Sequence, residues 1–439
     1  MKHLHPRDQE ILRLALPSIV QNVTVPLLGL ADVAIMGHIG DARYIGAIAV
    51  GSMIFNVMYW LCGFLRMGTS GLTAQAYGGS HSTLRILHSS LRLALGIGLT
   101  IVVLQMPLRG VSFWLMQPTA DVATLCLPYY NICIWGAPAV LGLYALTGWF
   151  IGMQDTRTPM MVAIVQNVVN IVLSASFVFL LDMGIAGVAL GTLTAQWTGL
   201  LIAGWGALRK APGGLSLRTI WKQQTADDFR PARLLAVNRD IFLRTLCLVA
   251  VNLYFTSAGA AQGALMLAVN TLLMQLFTLF SYFMDGFAYA AEAMAGRYYG
   301  ARDKASLGDV VRRLLRWGWL MVVVFTLLYW AGGTPFLQLL TNDTLVVSAA
   351  AHYLPWAVLI PLSGMAAFVW DGVFIGLTRT HSMLMSCAVA AAAFFGLWFA
   401  LSPSMGNHAL WLALLVYLAL RGLLLSWHYH RFDRQWHTV

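Results

Sequence analysis

The constraint that most limits this chain is that it is written twice. Ala74-Gln-Ala-Tyr77-Gly-Gly79-Ser80 returns about 221 residues later as Ala295-Gly-Arg-Tyr298-Tyr-Gly300-Ala301. At the same offset Ala47 falls on Ala268 and Arg92 on Arg313. Phe150-Ile-Gly152…Thr156-Arg-Thr158 matches Phe374-Ile-Gly376…Thr378-Arg-Thr380, with two residues lost between the blocks. Any fold must therefore build two similar halves.

Both halves are apolar. The chain is 59% hydrophobic and 10% charged, with a mean hydropathy of +0.72, where a soluble protein carries roughly 25% charged residues. Windows of about 20 apolar residues recur, each able to cross a hydrocarbon core of about 30 Å as a helix. Spans are expected at 11–36, 46–70, 86–108, 122–150, 158–181, 184–208, 236–259, 264–294, 314–333, 345–376, 382–402 and 408–428. The predicted fold is an all-α integral membrane protein. It has twelve transmembrane helices in two six-helix lobes, related by a pseudo-twofold along the membrane normal. The N-lobe is expected over 1–208, a polar cytoplasmic linker over 209–235 and the C-lobe over 236–439. Paired membrane bundles of this kind are the signature of secondary transporters, whose sites lie between the repeats or in a lobe cavity.

Charge gives orientation. With the N-terminus cytoplasmic, 24 of the 27 Lys and Arg fall on inner segments, Arg244 and Arg421 among them, and only Arg43 and Arg109 fall outside. That is a strong positive-inside bias and places both termini in the cytoplasm. The net charge of +10 therefore reads as topology and not as a nucleic-acid surface. The first apolar run follows Asp8 and Glu10, contains Pro17 and Pro26, and lacks a small-residue cleavage site, so it does not read as a signal peptide. Five cysteines without metal-ligand spacing read as small buried hydrophobes.

Acidic groups within spans are the sharpest functional clue, because burying one without compensation costs several kcal/mol. Four of the 17 Asp and Glu are the candidates: Asp32, Asp285, Glu292 and Asp371. Asp32 sits in the outer half of the first span, with Gln21 eleven residues earlier on the same helical face. A carboxylate in low dielectric can bind and release a proton in the physiological range, as ion coupling requires; the alternative is a static hydrogen-bonded Asp that fixes packing. The fifth span carries a polar stripe of Gln166 or Asn167, then Asn170, then Ser174, which is either interhelical glue or the lining of a cavity. Asp285, Glu292 and Asp371 form a second coupling site, or else an inner gate paired with arginines. Arg66, the basic residue read as clearly within a span, either snorkels to the interface or pairs with one of those acids.

Motifs for zinc proteases, phosphate-binding loops, nucleophile elbows and paired-cysteine chemistry are missing from the sequence. Two other readings stand beside an ion-coupled transporter. A lipid-linked-substrate flippase would need a cleft rich in Arg and Lys, and an intramembrane enzyme would need a Ser–His type dyad at membrane depth.

Several segments resemble multidrug and toxic compound extrusion (MATE) transporters. They are Asp32…Gly37…Gly40, Gln75-Ala-Tyr-Gly78, Phe150-Ile-Gly-Met-Gln-Asp155-Thr-Arg-Thr-Pro159, Asn167-Val-Val-Asn170 and Gly184-Ile-Ala-Gly187-Val-Ala. Phe64-Leu-Arg-Met-Gly-Thr and Phe283-Met-Asp-Gly-Phe-Ala-Tyr-Ala-Ala-Glu292 are similar to the DinF-like branch. The resemblance implies an antiporter that exports small amphipathic, often cationic compounds against inward H⁺ or Na⁺. Its expected site is bacterial inner-membrane lipid, as a monomer, with no cofactor and no nucleic-acid partner. It makes Asp32 the N-lobe coupling residue with Asn170 beside it. Ser174 stands where many relatives have an acid, so Asp32 carries more of the coupling alone. That leans the expectation towards H⁺.

Overall fold

The computed structural model describes residues 4–37, 42–210 and 231–435. Most of the expected linker lies outside them. Among the described residues the chain is helical throughout. The helices are α1 (Pro6–Gly37), α2 (Ala42–Leu61), α3 (Phe64–Gly78), α4 (Thr83–Val103), α5 (Gln105–Met116), α6 (Ala120–Cys133), α7 (Ala137–Gly152), α8 (Arg157–Phe179) and α9 (Gly184–Lys210). After the linker come α10 (Pro231–Ala261), α11 (Ala264–Gly300), α12 (Lys304–Leu340), α13 (Thr344–Val358), α14 (Ile360–Gly376), α15 (Thr380–Met405) and α16 (Asn407–Gln435).

Each of the twelve apolar stretches coincides with one helix or with a broken pair. Among the described residues, nine helices are long and apolar enough to cross a membrane, or ten when the bent pair α13–α14 counts as one span. That pair bends by 46° where Pro361 opens α14, since proline offers no N–H to the preceding turn. The corresponding N-terminal pair, α6 and α7, is joined by a short 3₁₀ turn, Ile134–Gly136, followed by Pro138. The stretch expected at 46–70 is also divided, into α2 and α3 at Cys62–Gly63.

The chain forms two compact units. One is Val20–Asn238; the other combines Met1–Ile19 with Arg239–Val439. Both boundaries fall inside helices, α1 and α10, so each of these helices gives its first turns to one unit and its remainder to the other. We call the units N and C.

In the C-unit the start of α1 is held by ion pairs. Arg7 pairs with Asp309 (2.6 Å), Asp8 with Arg313 (2.7 Å) and Glu10 with Arg297 (2.5 Å), and Trp317 Nε1 donates to Asp8 (3.2 Å). Ile11, Leu14 and Ala15 are buried beneath them. In the N-unit the start of α10 is held in the converse way. Leu234 packs with Leu72, Ala76 and Ile86, and Arg233 donates to Gln75 Oε1 (2.9 Å).

The duplicated Phe-Ile-Gly blocks explain a shared packing device. In the N-unit, Gly148 and Gly152 of α7 lie against the backbone of Arg66 and Ser70 on α3. In the C-unit, Gly372 and Gly376 of α14 lie against the backbone of Ala288 and Glu292 on α11. Glycines four apart share one helix face, and small residues there let backbones approach closely where apolar driving force is weak. A Cβ at Gly376 would stand 2.6 Å from Glu292 O and 2.7 Å from Gly296 N, both backbone atoms that cannot swing aside.

In the turn between α7 and α8, Asp155 accepts from the amides of Arg157 and Thr158 (3.1 Å each), and Lys210 pairs with its other oxygen. Burial alone would push the Asp155 carboxyl up. Lys210 and Thr158 outweigh that and hold it below the ordinary carboxylate value.

Gly376→Ala is expected to destabilise the protein by about 1–3 kcal/mol through overpacking, read as a lower thermal midpoint in detergent. Gly204→Ala, where a Cβ meets nothing within 4 Å, should leave that midpoint unchanged or slightly raised.

Candidate functional site

Several of the N-unit's buried polar groups meet at the C-terminal half of α1. Asp32 is 2% exposed, Asn170 of α8 and Ser174 are fully buried, and Thr192 of α9 is 5% exposed. The Asn170 amide donates to Thr192 Oγ1 (2.9 Å), and the Thr192 hydroxyl donates to Asp32 Oδ2 (3.3 Å). One relay therefore ties three helices together, Asn to Thr to Asp. Tyr129 and Cys133 of α6 lie within electrostatic range of the same carboxylate.

Two oxygens are left over. Asp32 Oδ1 and Asn170 Oδ1 are buried, and neither has a hydrogen-bond donor among the described residues. Buried acceptors without donors are costly. The two belong to adjoining members of one relay, Asp32 on α1 and Asn170 on α8.

The other expected members of the site fall elsewhere. Ser174 donates to Val188 O on α9 (3.4 Å) and meets Gly191, so it serves the α8–α9 crossing. Gln21 is part-buried three turns before Asp32 and does not hydrogen-bond to it. Asn167 holds α1 directly, its amide donating to Thr24 O (2.7 Å) two residues before Pro26.

In the C-unit, Asp371 is 8% exposed, and its Oδ2 receives both Arg421 (2.5 Å) and Arg244. The structure buries both arginines within the C-unit, Arg244 to 4% and Arg421 to 7% exposure. The carboxylate makes burial tolerable, but it lies 127 residues from Arg244, so no local pattern announces the pairing. The view of Arg66 as the basic residue clearly within a span is revised accordingly. Glu292 is 1% exposed, Asp285 is half-buried, and Arg66 is half-buried on the first turn of α3.

Thr192 escaped sequence reading. Its signal is nevertheless present: Thr192 and Gln196 stand four apart on a face of α9 lined otherwise by Gly191, Ala195 and Gly199, a polar pair on a small-residue helix face.

This architecture is that of an integral membrane transporter. The MatE family model matches residues 17–176 and 241–401, one block in each half, and the chain belongs to the MATE family. The Lipid II flippase MurJ model also matches residues 133–273. The chain is 41% identical to DNA damage-inducible protein F of Escherichia coli (strain K12), over 99% of this chain and 95% of that one. It is 23% identical to the probable multidrug resistance protein NorM of Thermotoga maritima, over 77% of this chain and 73% of that one. A solved structure, MATE in the bent conformation, superposes with a TM-score of 0.87 at 18% identity, covering 99% of this chain and 97% of that one.

Thr192→Val keeps side-chain shape and removes the relay. It removes two hydrogen bonds, one of them to a carboxylate, a type that contributes about 1.5–3 kcal/mol, so transport should slow by roughly tenfold or more. An unchanged transport rate in folded Thr192→Val would remove Thr192 from the site.

Proposed function

We propose that the protein is a secondary antiporter of the bacterial inner membrane. It exports small amphipathic, often cationic compounds in exchange for inward H⁺ by rocker-type alternating access. It works as a monomer without a bound cofactor, with both termini in the cytoplasm. The relative from Thermotoga maritima bears the name probable multidrug resistance protein NorM, which supports the substrate class.

The observation that carries this reading is the pair of donorless oxygens, Asp32 Oδ1 and Asn170 Oδ1. A proton on Asp32 turns one of those acceptors into a donor and removes the charge from a buried carboxylate. Loss of the proton restores a charge that one hydroxyl, from Thr192, only partly stabilises. The two states therefore differ in both charge and hydrogen bonding, as a coupling residue requires. Asp32 stands on α1 beyond Pro26, in a helix whose first turns belong to the C-unit, so a change at Asp32 acts on a helix already weakened by proline.

Sodium is the second reading, since the same two oxygens are also hard-cation ligands. A single carboxylate, with Ser174 turned to helix packing, favours the proton. The flippase alternative would need basic side chains presented to a cleft. Arg244 and Arg421 are instead engaged by Asp371 in the C-unit interior.

The test is transport in proteoliposomes under imposed gradients. Wild-type protein should move a cationic dye when a pH gradient is applied, with no response to Na⁺, and Asp32→Asn should fall to the protein-free background. Undiminished pH-driven transport in Asp32→Asn would refute the assignment of the coupling residue, and transport driven by Na⁺ alone would refute the ion.

A further inference from the structure

The Arg244–Asp371–Arg421 cluster does not balance its own charge. Two guanidiniums converge on a single carboxylate oxygen, with side chains 5%, 9% and 12% exposed for Arg244, Arg421 and Asp371. The nearest acid along α10 is Asp240, one turn before Arg244. It is already engaged, accepting from Arg239 (2.9 Å) and from Thr380 Oγ1 (3.2 Å). The three-residue cluster thus carries one surplus positive charge inside the unit.

Its hydrogen bonding is incomplete as well. Arg244 Nε is buried and has no acceptor among the described residues. The neighbouring groups do not supply one. Cys387 Sγ lies 3.8 Å from the Arg244 carbonyl and 3.6 Å from the Tyr417 hydroxyl. Arg421 lies over the Tyr417 ring at 5.3 Å, a cation–π contact that offsets part of its charge but provides no anion.

We propose that Arg244, Arg421 and Asp371 form a binding site for a small inorganic monovalent anion of halide size. A water molecule answers the vacant N–H but not the surplus charge; a halide answers both, because a buried charge needs a compensating partner as well as hydrogen bonds. The near-complete burial of all three side chains favours a small occupant. The site is separate from Asp32 in chemistry as well as place: it selects an anion, and it makes the C-unit cluster unsuited to hold a coupling cation.

The experiment is thermal unfolding of the full-length protein in nanodiscs. Gluconate is replaced stepwise by chloride, and in a second series by bromide, at constant ionic strength and pH. Wild type and Asp32→Asn should both show a saturable rise in midpoint, so this result stands or falls independently of the coupling residue. Arg421→Gln, which neutralises the cluster, should lose the saturable response. Should that variant not fold, Asp371→Asn decides: it raises the surplus charge, and its half-saturating chloride should fall by roughly tenfold or more. Bromide-soaked crystals should show anomalous density beside Arg244 Nε, on the side of the guanidinium away from Asp371. No halide-specific response in the wild type, or a response that persists undiminished in folded Arg421→Gln, would overturn the proposal.

Discussion

Charge inside a low-dielectric helical bundle is the interaction that organises this protein. Every ionised group placed there must find a partner, because hydrocarbon and packed helices supply none. The C-unit answers with opposite charge: Asp371 receives Arg244 and Arg421. The N-unit answers differently. Asp32 has a hydroxyl from Thr192, held by the Asn170 amide, and no cationic side chain hydrogen-bonded to it. The contrast is between an acid engaged by two cationic side chains and an acid whose side-chain partners are neutral.

The bundles that hold these groups are built by small residues at backbone contacts and by helices shared between units. Gly148 and Gly152 in one unit, and Gly372 and Gly376 in the other, allow the same close crossing. The ion pairs of Arg7, Asp8 and Glu10 fasten the first turns of α1 to the C-unit, while Asn167 grips the same helix at Thr24 in the N-unit. Asp32 therefore sits on a helix anchored at two places, with Pro17 and Pro26 in its length.

Much of this is legible in the residues alone. The duplicated Phe-Ile-Gly blocks carry the shared packing, because the glycine that permits a crossing is itself the repeated letter. Asp32 and Asn170 are legible because polar side chains are rare in apolar helices and fall on inward faces. Three features resist. Arg244 and Arg421 look like positive-inside charges because the acid that buries them is distant in sequence. Ser174 and Asn170 share one stripe, yet a single helix turn sends one to the α8–α9 contact and the other to the relay. Thr192 is hidden because threonine in a membrane helix usually bonds to its own backbone, as Thr194 and Thr198 do here.

The central claim is that Asp32 exchanges a proton against substrate, and the most direct measurement counts that proton. A cationic substrate added to purified protein in weakly buffered detergent solution, with a pH indicator present, reports protons displaced on binding. Release should approach one proton per bound substrate for the wild type, with none for Asp32→Asn. Substrate binding with no proton release from the wild type, or equal release from both proteins, would contradict it.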